Sequence, residues 1–288
     1  MAANLIRELL ARGPVLTDGA WGTQMLARGL PPGQFPDLWN LSHPDRVEAV
    51  GRSYVDAGSE IILTNTFQAN RFALRDAARD VVAINRAGAQ ISRRAAGERV
   101  KVFGSIGPTN TMLVSGDVDK DELRAAFNEQ ATALAGGGVD AIVIETMSDL
   151  NEAVLAIEAA RVTGLPVVAC MTFDSGKNKD RTMTGVSPAQ AAEGLAAAGA
   201  DVIGANCGIG VDSAAPICAA LAGATDLPVW IKANAGLPEL VGREVVYRMT
   251  PAEYGGHVET LLAAGADFVG GCCGTTAEFI AAMARIIR

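Results

Sequence analysis

Three cysteines carry the most distinctive chemistry of this sequence. Cys207 lies in the motif GANCGIG, and Cys272 and Cys273 lie in GGCCGTT. Thiolates are soft ligands that favour zinc, and three protein ligands leave the fourth tetrahedral position open, as in catalytic zinc sites. Zinc with three thiolates keeps a net negative charge, so it activates water weakly but holds a further thiol well as a nucleophilic thiolate. These residues therefore predict a zinc site for alkyl transfer to sulfur.

The alternative for these cysteines is that they are buried apolar thiols, which is the usual role of a free cysteine. Cys170 in VVACMTF and Cys218 in APICAAL are predicted to be core residues of that kind. Adjacent residues of a strand point to opposite faces, so joint ligation by Cys272 and Cys273 requires a break in their strand. The freedom for this break is predicted to come from the neighbouring glycines: Gly270, Gly271 and Gly274.

Lys232, near the end of the apolar run VWIKANAG, offers a different chemistry. An amine in such a place can form Schiff bases with carbonyl substrates, so a metal-independent lyase is an alternative function. That alternative leaves the paired cysteines unexplained. The two histidines, His43 and His257, do not follow predicted strands, which argues against a histidine-based triad or an HExxH hydrolase.

The elements that position these residues are indicated by short apolar runs that alternate with longer Ala- and Leu-rich segments. This alternation is typical of a parallel sheet with crossover helices. The eight predicted strands are VLTDGA from Val15, IILTNT from Ile61, VKVFGSIGP from Val100, AIVIET from Ala141, VVACMTF from Val167, VIGANC from Val202, VWIKANAG from Val229 and FVGGCCG from Phe268. Eight such units predict an α/β fold, a single (β/α)8 TIM barrel.

An internal repeat supports the barrel. Four helix-to-strand junctions have small residues followed by an acid: AGSEIIL at Ala57, GGVDAIVI at Gly137, AGADVIGANC at Ala198 and AGADFVGGCC at Ala264. The last three begin 61 and 66 residues apart, which is the length of two βα units. No Ser/Pro-rich linker or charge block divides the chain. Residues 1–288 are therefore predicted to form one barrel domain.

The barrel predicts where the chemistry lies, because active sites of such barrels form at the C-terminal ends of the strands. The predicted strand ends are polar: they carry Asp18, Thr64, Asn65, the turn SIGPTN, Glu145, Thr146, Thr172, Asp174, Asn206 and Asn234. For Thr64, Thr172 and Ser105, capping of the next helix is an equal alternative. Asn206 and Asn234 are predicted to support the zinc ligands or the substrate.

Composition excludes several other classes of protein. The 288 residues carry a formal charge of −8, which argues against a nucleic-acid binder, and 49% of them are hydrophobic, enough for a large core. The sequence contains no apolar stretch long enough to span a membrane. Charged residues interrupt the N-terminal segment MAANLIRELLARG, which argues against a signal peptide. We therefore expect a soluble cytoplasmic protein. The odd number of cysteines, five, predicts reduced thiols.

Taken together, the motifs resemble those of the homocysteine S-methyltransferase family, especially the homocysteine-binding barrels of cobalamin-dependent methionine synthases. The motifs are LTDGAWGTQML, AGSEIILTNTFQANRFAL, GSIGPTN, VIETMSDLNEA, CMTFDSGKNKDRTMTGVSP, GANCGIG, ANAGLPEL and GGCCGTT. They span nearly the whole chain, and the NC and GGCC pairs are highly specific.

This resemblance implies a (β/α)8 barrel with one zinc ion held by Cys207, Cys272 and Cys273. It also implies that Asp18 in DGAWGT and Glu145 in ETMSD contact the amino group of homocysteine. The residues agree with that assignment, because an ammonium group in a partly buried site needs a carboxylate partner. For Glu145 the alternative is a structural salt bridge or helix cap. Backbone N–H groups of GSIGPTN and of the NC and GCCG turns are candidates for the substrate carboxylate.

The expected function is thus the zinc-dependent methylation of homocysteine to methionine. No folate or corrinoid domain follows the barrel motifs, so a separate methylcorrinoid or methylfolate protein is the expected donor, and a corrinoid carried by a partner is the expected second cofactor. The rival donor is a free onium compound such as betaine or S-methylmethionine, for which Trp39 and Phe35 in QFPDLWNLS are possible cation–π partners. Packing of Trp39 on the barrel rim is the more ordinary alternative. A further alternative is a non-catalytic subunit that only binds the substrate.

Overall fold

The computed structural model describes residues 2–75, 80–111, 118–208, 210–242 and 244–288. Ile209 of the GANCGIG motif lies outside the described residues. The strands are β1 (Val15–Leu16), β2 (Ile61–Leu63), β3 (Lys101–Ile106), β4 (Ala141–Met147), β5 (Val167–Met171), β6 (Val202–Cys207), β7 (Val229–Ala233), β8 (Glu239–Val241), β9 (Glu244–Val246) and β10 (Ala266–Gly271). All eight predicted strands are present, although β1 and β2 are shorter than their apolar runs.

Eight of these strands form one parallel sheet in the order β1-β10-β7-β6-β5-β4-β3-β2. The contacts that bridge the remaining gap between β1 and β2 include two short hydrogen bonds. The backbone N–H of Glu60 donates to Leu16 O at 2.8 Å, and the N–H of Leu63 donates to Asp18 Oδ2 at 2.8 Å. The predicted (β/α)8 barrel is confirmed.

Helices between and after the strands cover the outside of the barrel, and one helix precedes β1. They are α1 (Ala2–Leu10), α2 (Gly22–Ala27), α3 (Trp39–Ser42), α4 (Pro44–Ala57), α5 (Arg71–Leu74), α6 (Val81–Ala96), α7 (Lys120–Gly136), α8 (Leu150–Arg161), α9 (Pro188–Ala198), α10 (Ala214–Ala222), α11 (Pro251–Gly255), α12 (Val258–Ala263) and α13 (Ala277–Ile287), with 3-10 turns at Pro36–Leu38 and Val211–Ser213. None of the helices in the described part of the chain is long and apolar enough to cross a membrane.

The repeated acid of the helix-to-strand junctions has a clear structural role. Each acid accepts a hydrogen bond from the backbone N–H at the start of the preceding barrel strand. The pairs are Glu60 Oε1 with Leu16 N at 3.4 Å, Asp140 Oδ2 with Val102 N at 2.8 Å, Asp201 Oδ2 with Val167 N at 2.9 Å, and Asp267 Oδ2 with Val229 N at 2.8 Å. The repeat in the sequence therefore marks four pairs of strands joined in the same way.

Strand alternation divides the core into an inner and an outer part. Trp230 on β7 packs inside the barrel against Phe103 and Phe268, with ring centroids 6.0 and 5.3 Å away, whereas Ile231 packs outward against the helices. Helix α1 covers the N-terminal end of this inner cluster with Ile6. Because side chains alternate, the residue after Ile231, Lys232, faces the interior one layer above Trp230. The same layer contains the polar residues of the site.

One element was not predicted from the sequence. Strands β8 and β9 form an antiparallel hairpin after β7, with Leu240 paired with Val245. Its exposed apolar side chains include Leu240, Val241 and Val245. The hairpin leads into Tyr247, whose ring packs against the loop that carries Cys273.

Candidate metal and substrate site

The three predicted metal ligands meet at the C-terminal end of the barrel. The Sγ atoms of Cys207, Cys272 and Cys273 all lie within 4.8 Å of one another. Tetrahedral zinc with Zn–S bonds of about 2.3 Å places its sulfurs about 3.8 Å apart, so small side-chain shifts bring these thiols into a zinc geometry. Soft ligands at this spacing fit zinc. Cys170 and Cys218 are buried elsewhere in the core, as predicted.

The backbone brings the thiols together by leaving strand geometry at both strand ends. Cys207 is the last residue of β6 and has a positive φ of 61°, and β10 ends at Gly271, before the two adjacent cysteines. Gly274 has a φ of 83°, so the prediction that it frees the turn is confirmed. A Cβ at Gly274 would also lie 2.2 Å from Cγ of Tyr247.

The prediction that Gly270 and Gly271 supply backbone freedom was wrong. Neither glycine has a positive φ. A Cβ on Gly270 would lie 1.9 Å from Thr17 Oγ1, and a Cβ on Gly271 would lie 2.3 Å from Thr275 Oγ1. These glycines allow neighbouring chain segments to approach closely; they do not supply an unusual backbone conformation.

Asn234 ties the two cysteine loops together. Its Nδ2 donates to Gly208 O at 2.7 Å, directly after Cys207, and its Oδ1 accepts from the backbone N–H of Cys273 at 3.0 Å. The N–H of Cys272 also donates to Ala233 O at 2.7 Å. The side chain of Asn234 therefore fixes the relative position of the two loops without needing to touch a metal.

Asn206 connects the thiols to the polar layer inside the barrel. Its Nδ2 lies 3.1 Å from Glu145 Oε2, 2.7 Å from Thr146 Oγ1 and 3.9 Å from Cys272 Sγ. Its Oδ1 accepts from the backbone N–H of Thr146 at 2.6 Å. Thr146 has a φ of 60°, and the contacts of Asn206 hold this uncommon conformation.

The clustered thiols influence one another's ionisation. For Cys272, the hydrogen bond with Cys207 raises the pKa well above the usual thiol value, and burial adds to this. For Cys207, the hydrogen bond with Cys272 lowers the pKa, but Cys273 and burial together raise it to about 11. For Cys273, the hydrogen bond with Cys207 lowers the pKa, yet Cys272 and burial raise it to about 12. Thiols with such raised pKa values release their protons when a metal cation binds to the sulfur atoms.

Glu145 is buried and faces the interior at the end of β4. Ser105 Oγ donates to its Oε1 at 2.5 Å, and Asn206 donates to its Oε2. Burial raises the pKa of Glu145, while the charge of Lys232 and the Ser105 hydrogen bond oppose that effect. The carboxylate lines the cavity beside the cysteines.

Asp18 occupies a different position from that of Glu145. It is fully buried and forms an ion pair with Lys232. Its other oxygen, Oδ2, accepts from Trp21 Nε1 at 2.7 Å and from Leu63 N at 2.8 Å. Asp18 does not line the cavity, whereas Lys232 does. Burial acts to lower the pKa of Lys232, but Asp18 and Glu145 outweigh it and raise the pKa, so the side chain is held as an ammonium ion.

The three cysteines, Glu145 and Lys232 line one cavity of about 290 Å³. The lining residues that the sequence did not reveal include Trp21, Asp37 and Phe67. Asp37 is buried in a 3-10 turn, where its Oδ1 accepts from Gln68 N at 2.9 Å. Burial raises the pKa of Asp37 to about 7, against the opposing backbone hydrogen bonds. No periodic pattern in the sequence marks these loop residues, although TDGAWG did point to the loop of Trp21.

The residues proposed for an onium donor do not line this cavity. Trp39 is 3% exposed, and the guanidinium of Arg46 already lies over its ring at 5.2 Å from the centroid. Phe35 packs against a small cluster that contains Leu74 and Ile84. The buried ring of Trp39, already in contact with Arg46, therefore favours its interpretation as a packing residue of the rim over a role as partner of an onium donor. Of the aromatic rings in the described chain, those of Trp21 and Phe67 line the cavity.

The sequence matches a family model across the barrel. Residues 15–287 match the model described as homocysteine S-methyltransferase. The chain belongs to the homocysteine S-methyltransferase family. The predicted family and the predicted methyltransferase class are thereby confirmed.

Relatives of this homocysteine S-methyltransferase family member include methionine synthases of Mycobacterium tuberculosis and Mycobacterium leprae. They are 31% and 30% identical to it over 98% and 97% of its length. The chain spans about a quarter of each relative, since it covers 25% of both.

Solved structures support the fold of this family member. The metallated form of the homocysteine methyltransferase MmuM from Escherichia coli matches with a TM-score of 0.80 and 23% identity, covering 97% of this chain and 99% of that one. The apo form of the same protein matches with a TM-score of 0.74 and 20% identity, covering 97% and 98%. At such identities the likeness supports the barrel fold alone.

Proposed function

We propose that this barrel is a zinc-dependent S-methyltransferase that methylates homocysteine to methionine. The observation that carries the proposal is the three-thiol cluster at the edge of a cavity that also contains the carboxylate of Glu145 and the ammonium of Lys232. A soft-metal site next to two groups of opposite charge suits a thiol that is also an amino acid.

Cys207, Cys272 and Cys273 would hold the zinc ion, and Asn234 would keep their loops in register. When bound, zinc would supply the lowered thiol pKa that keeps the substrate sulfur nucleophilic at neutral pH. The chain's own part is to present three thiols from two strand ends in the wall of the cavity. Asn206 adds a weak N–H contact to Cys272 Sγ.

Glu145 is the carboxylate best placed for the substrate ammonium, because it is in the cavity wall and its geometry is fixed by Ser105 and Asn206. Asp18 remains a predicted contact of the same ammonium, but its oxygens are engaged by Lys232, Trp21 and Leu63. Its effect on the substrate is therefore proposed to pass through Lys232.

For the methyl donor, we favour a methylcorrinoid or methylfolate carried outside the barrel. Support comes from the methionine synthase relatives, in which this barrel corresponds to only a quarter of the protein. A free onium donor is the second candidate, and the rings of Trp21 and Phe67 in the cavity wall are the observation that keeps it. Methyl transfer assays with methylcobalamin, betaine and S-methylmethionine distinguish the two.

The Schiff-base alternative does not fit the state of Lys232. A nucleophilic amine must lose its proton, and here Asp18 and Glu145 stabilise the protonated form. Borohydride reduction in the presence of a carbonyl substrate is expected to leave Lys232 unmodified.

The test of the proposal is zinc content together with the response to homocysteine. Protein purified under reducing conditions should contain about one zinc per chain, and homocysteine should release about one proton per chain on binding. Cys207→Ser should lose the zinc, whereas Cys218→Ser, a buried thiol outside the cluster, should keep it. Absence of zinc after reconstitution would contradict the proposal. Tight homocysteine binding without transfer from any donor would instead favour the non-catalytic subunit.

A further inference from the structure

Lys232 has binding capacity that its ion pair does not use. An ammonium group has three N–H donors, and among the described residues one of them is taken, by Asp18 Oδ1. The Lys232 side chain is 3% exposed and lines the cavity. A buried N–H donor without a hydrogen-bond partner costs free energy. A polar group bound in the cavity removes that cost, and an anionic group removes it best.

The position of Lys232 relative to the thiols sets what that partner can be. Lys232 lies on β7, paired in register with Asn206 of β6 and Gly270 of β10. These two strands lead into the three cysteines. Since neighbouring strands are about 4.8 Å apart, a ligand anchored by sulfur at the cluster can reach Lys232 with the far end of a four-carbon chain.

The charges of the cavity wall match the two ends of an amino acid. Glu145 offers a carboxylate on β4, and Lys232 offers an ammonium on β7; no ion pair joins these two side chains in the described structure. We propose that Lys232 binds the α-carboxylate of the thiol amino acid while Glu145 binds its α-ammonium, an inference that rests on the proposed function. Asp18 is then a positioning residue for Lys232.

Asp18 is well built for positioning. Trp21 Nε1 and the backbone N–H of Leu63 fix one of its oxygens, so the other meets Lys232 from a defined direction. This arrangement leaves the rest of the ammonium group directed at the cavity. Specificity for a substrate with a carboxylate follows, because a thiol without one would leave the lysine donors unpaired.

The competing explanation is that Lys232 only neutralises the buried charge of Asp18. Removing the lysine alone does not separate the two, since it leaves a buried carboxylate without its partner. The double variant Asp18→Asn/Lys232→Met removes both charges together. If that double variant is unstable, Asp18→Asn/Lys232→Gln replaces it, because its two amide side chains can still hydrogen-bond to each other.

The experiment measures binding of two ligands to each zinc-loaded protein by titration calorimetry. One ligand is L-homocysteine, and the other is 3-amino-1-propanethiol, which has the same thiol and amine but no carboxylate. The unmodified protein is expected to prefer homocysteine by about 10- to 100-fold. The double variants should lose that preference, because their affinity for homocysteine falls by more than their affinity for the aminothiol. Lys177→Met, an exposed lysine, is the matched control and should keep the preference.

The outcomes are distinguishable because the preference is a ratio measured within one protein. A double variant that keeps the full preference would overturn the role of Lys232, and so would an equal loss of affinity for both ligands. If the zinc-loaded unmodified protein binds neither thiol, the proposed function itself fails. If it binds both equally, the function stands and the inference about Lys232 is wrong.

Discussion

Asn234 accepts a hydrogen bond from the backbone N–H of Cys273 at 3.0 Å, and its amide group reaches across to Gly208 O at 2.7 Å. This side chain thus bridges the two loops that carry all three thiols. Loss of a group that orients metal ligands commonly weakens metal binding by about 10- to 100-fold.

Asn234→Ala is therefore expected to weaken zinc binding by about 10- to 100-fold, with little change in overall fold. Competition with a chromophoric chelator measures the affinity. Asn4→Ala, at an exposed position of α1 at the opposite end of the barrel, serves as the control. Unchanged zinc affinity in Asn234→Ala would mean that the loops hold their positions without this bridge.

Glu145→Gln is expected to raise the Kd for homocysteine by about 10- to 100-fold and to leave zinc binding nearly unchanged, because the amide keeps the shape and an acceptor for Ser105 but loses the charge. 4-Mercaptobutanoate, which lacks the amino group, should bind the variant and the unmodified protein alike. Glu193→Gln, an exposed residue of α9, is the control. Equal weakening of both ligands would show that Glu145 acts on the metal site and not on the ammonium.

The burial of Glu145 also leads to a prediction of how homocysteine binding depends on pH. Burial raises the pKa of this carboxyl above its usual value, despite the opposing effects of Lys232 and Ser105. The carboxylate of Glu145 is therefore protonated at a higher pH than that of an exposed glutamate. Homocysteine binding should weaken as the pH falls through this raised pKa. Glu145→Gln should lack this step. Binding curves measured from pH 5 to pH 8 at saturating zinc check the prediction.

Asp37→Asn should make the protein's stability less sensitive to pH between about 4 and about 7. Burial raises the pKa of Asp37 to about 7, so the folded state retains a proton that the unfolded state has already lost in this range. Stability then falls as pH rises, with a slope of up to about 1.4 kcal/mol per pH unit from this group. The asparagine can still accept from Gln68 N and removes the titration.

Urea unfolding of the two proteins at several pH values measures this difference. Asp45→Asn changes an exposed carboxylate and should follow the unmodified protein at each pH. Parallel stability curves for Asp37→Asn and the unmodified protein would show that Asp37 does not hold a proton in the folded state.

The predictable part of the molecule is the part governed by periodicity. Apolar runs separated by helical segments predicted the barrel, and the rule that active sites lie at strand ends predicted that Cys207 and Cys272 would meet, as they do. Alternation also gives the orientation of Lys232, two residues after the inward-facing Trp230.

What the sequence could not show are the pairings between distant side chains and the conformations of loops. The partner of Lys232 is Asp18, 214 residues away, and only closure of the barrel brings them into contact. Asp37 lies in a loop whose residues follow no period, and its burial depends on how that loop folds over the cavity. The glycines before Cys272 were predicted for freedom, but their reason is close packing against Thr17 and Thr275.

At the N-terminal end of the barrel, each junction acid that accepts a hydrogen bond from the preceding strand acts as a clamp between two strands. These clamps lead to a prediction about stability that does not involve the site. Asp201 Oδ2 accepts from Val167 N at 2.9 Å and so joins β6 to the start of β5. Asp201→Ala removes this acceptor and is expected to lower the free energy of unfolding by about 1–2 kcal/mol, whereas Asp201→Asn keeps an oxygen in place and should lose less. Asp226→Ala, at an exposed position, is the control for urea unfolding.

Because the clamp lies at the N-terminal end of the strands and the thiols at the C-terminal end, zinc affinity should stay constant in all three variants. A fall in zinc affinity with Asp201→Ala would mean that strand register at one end of the barrel is transmitted to the cysteine loops at the other.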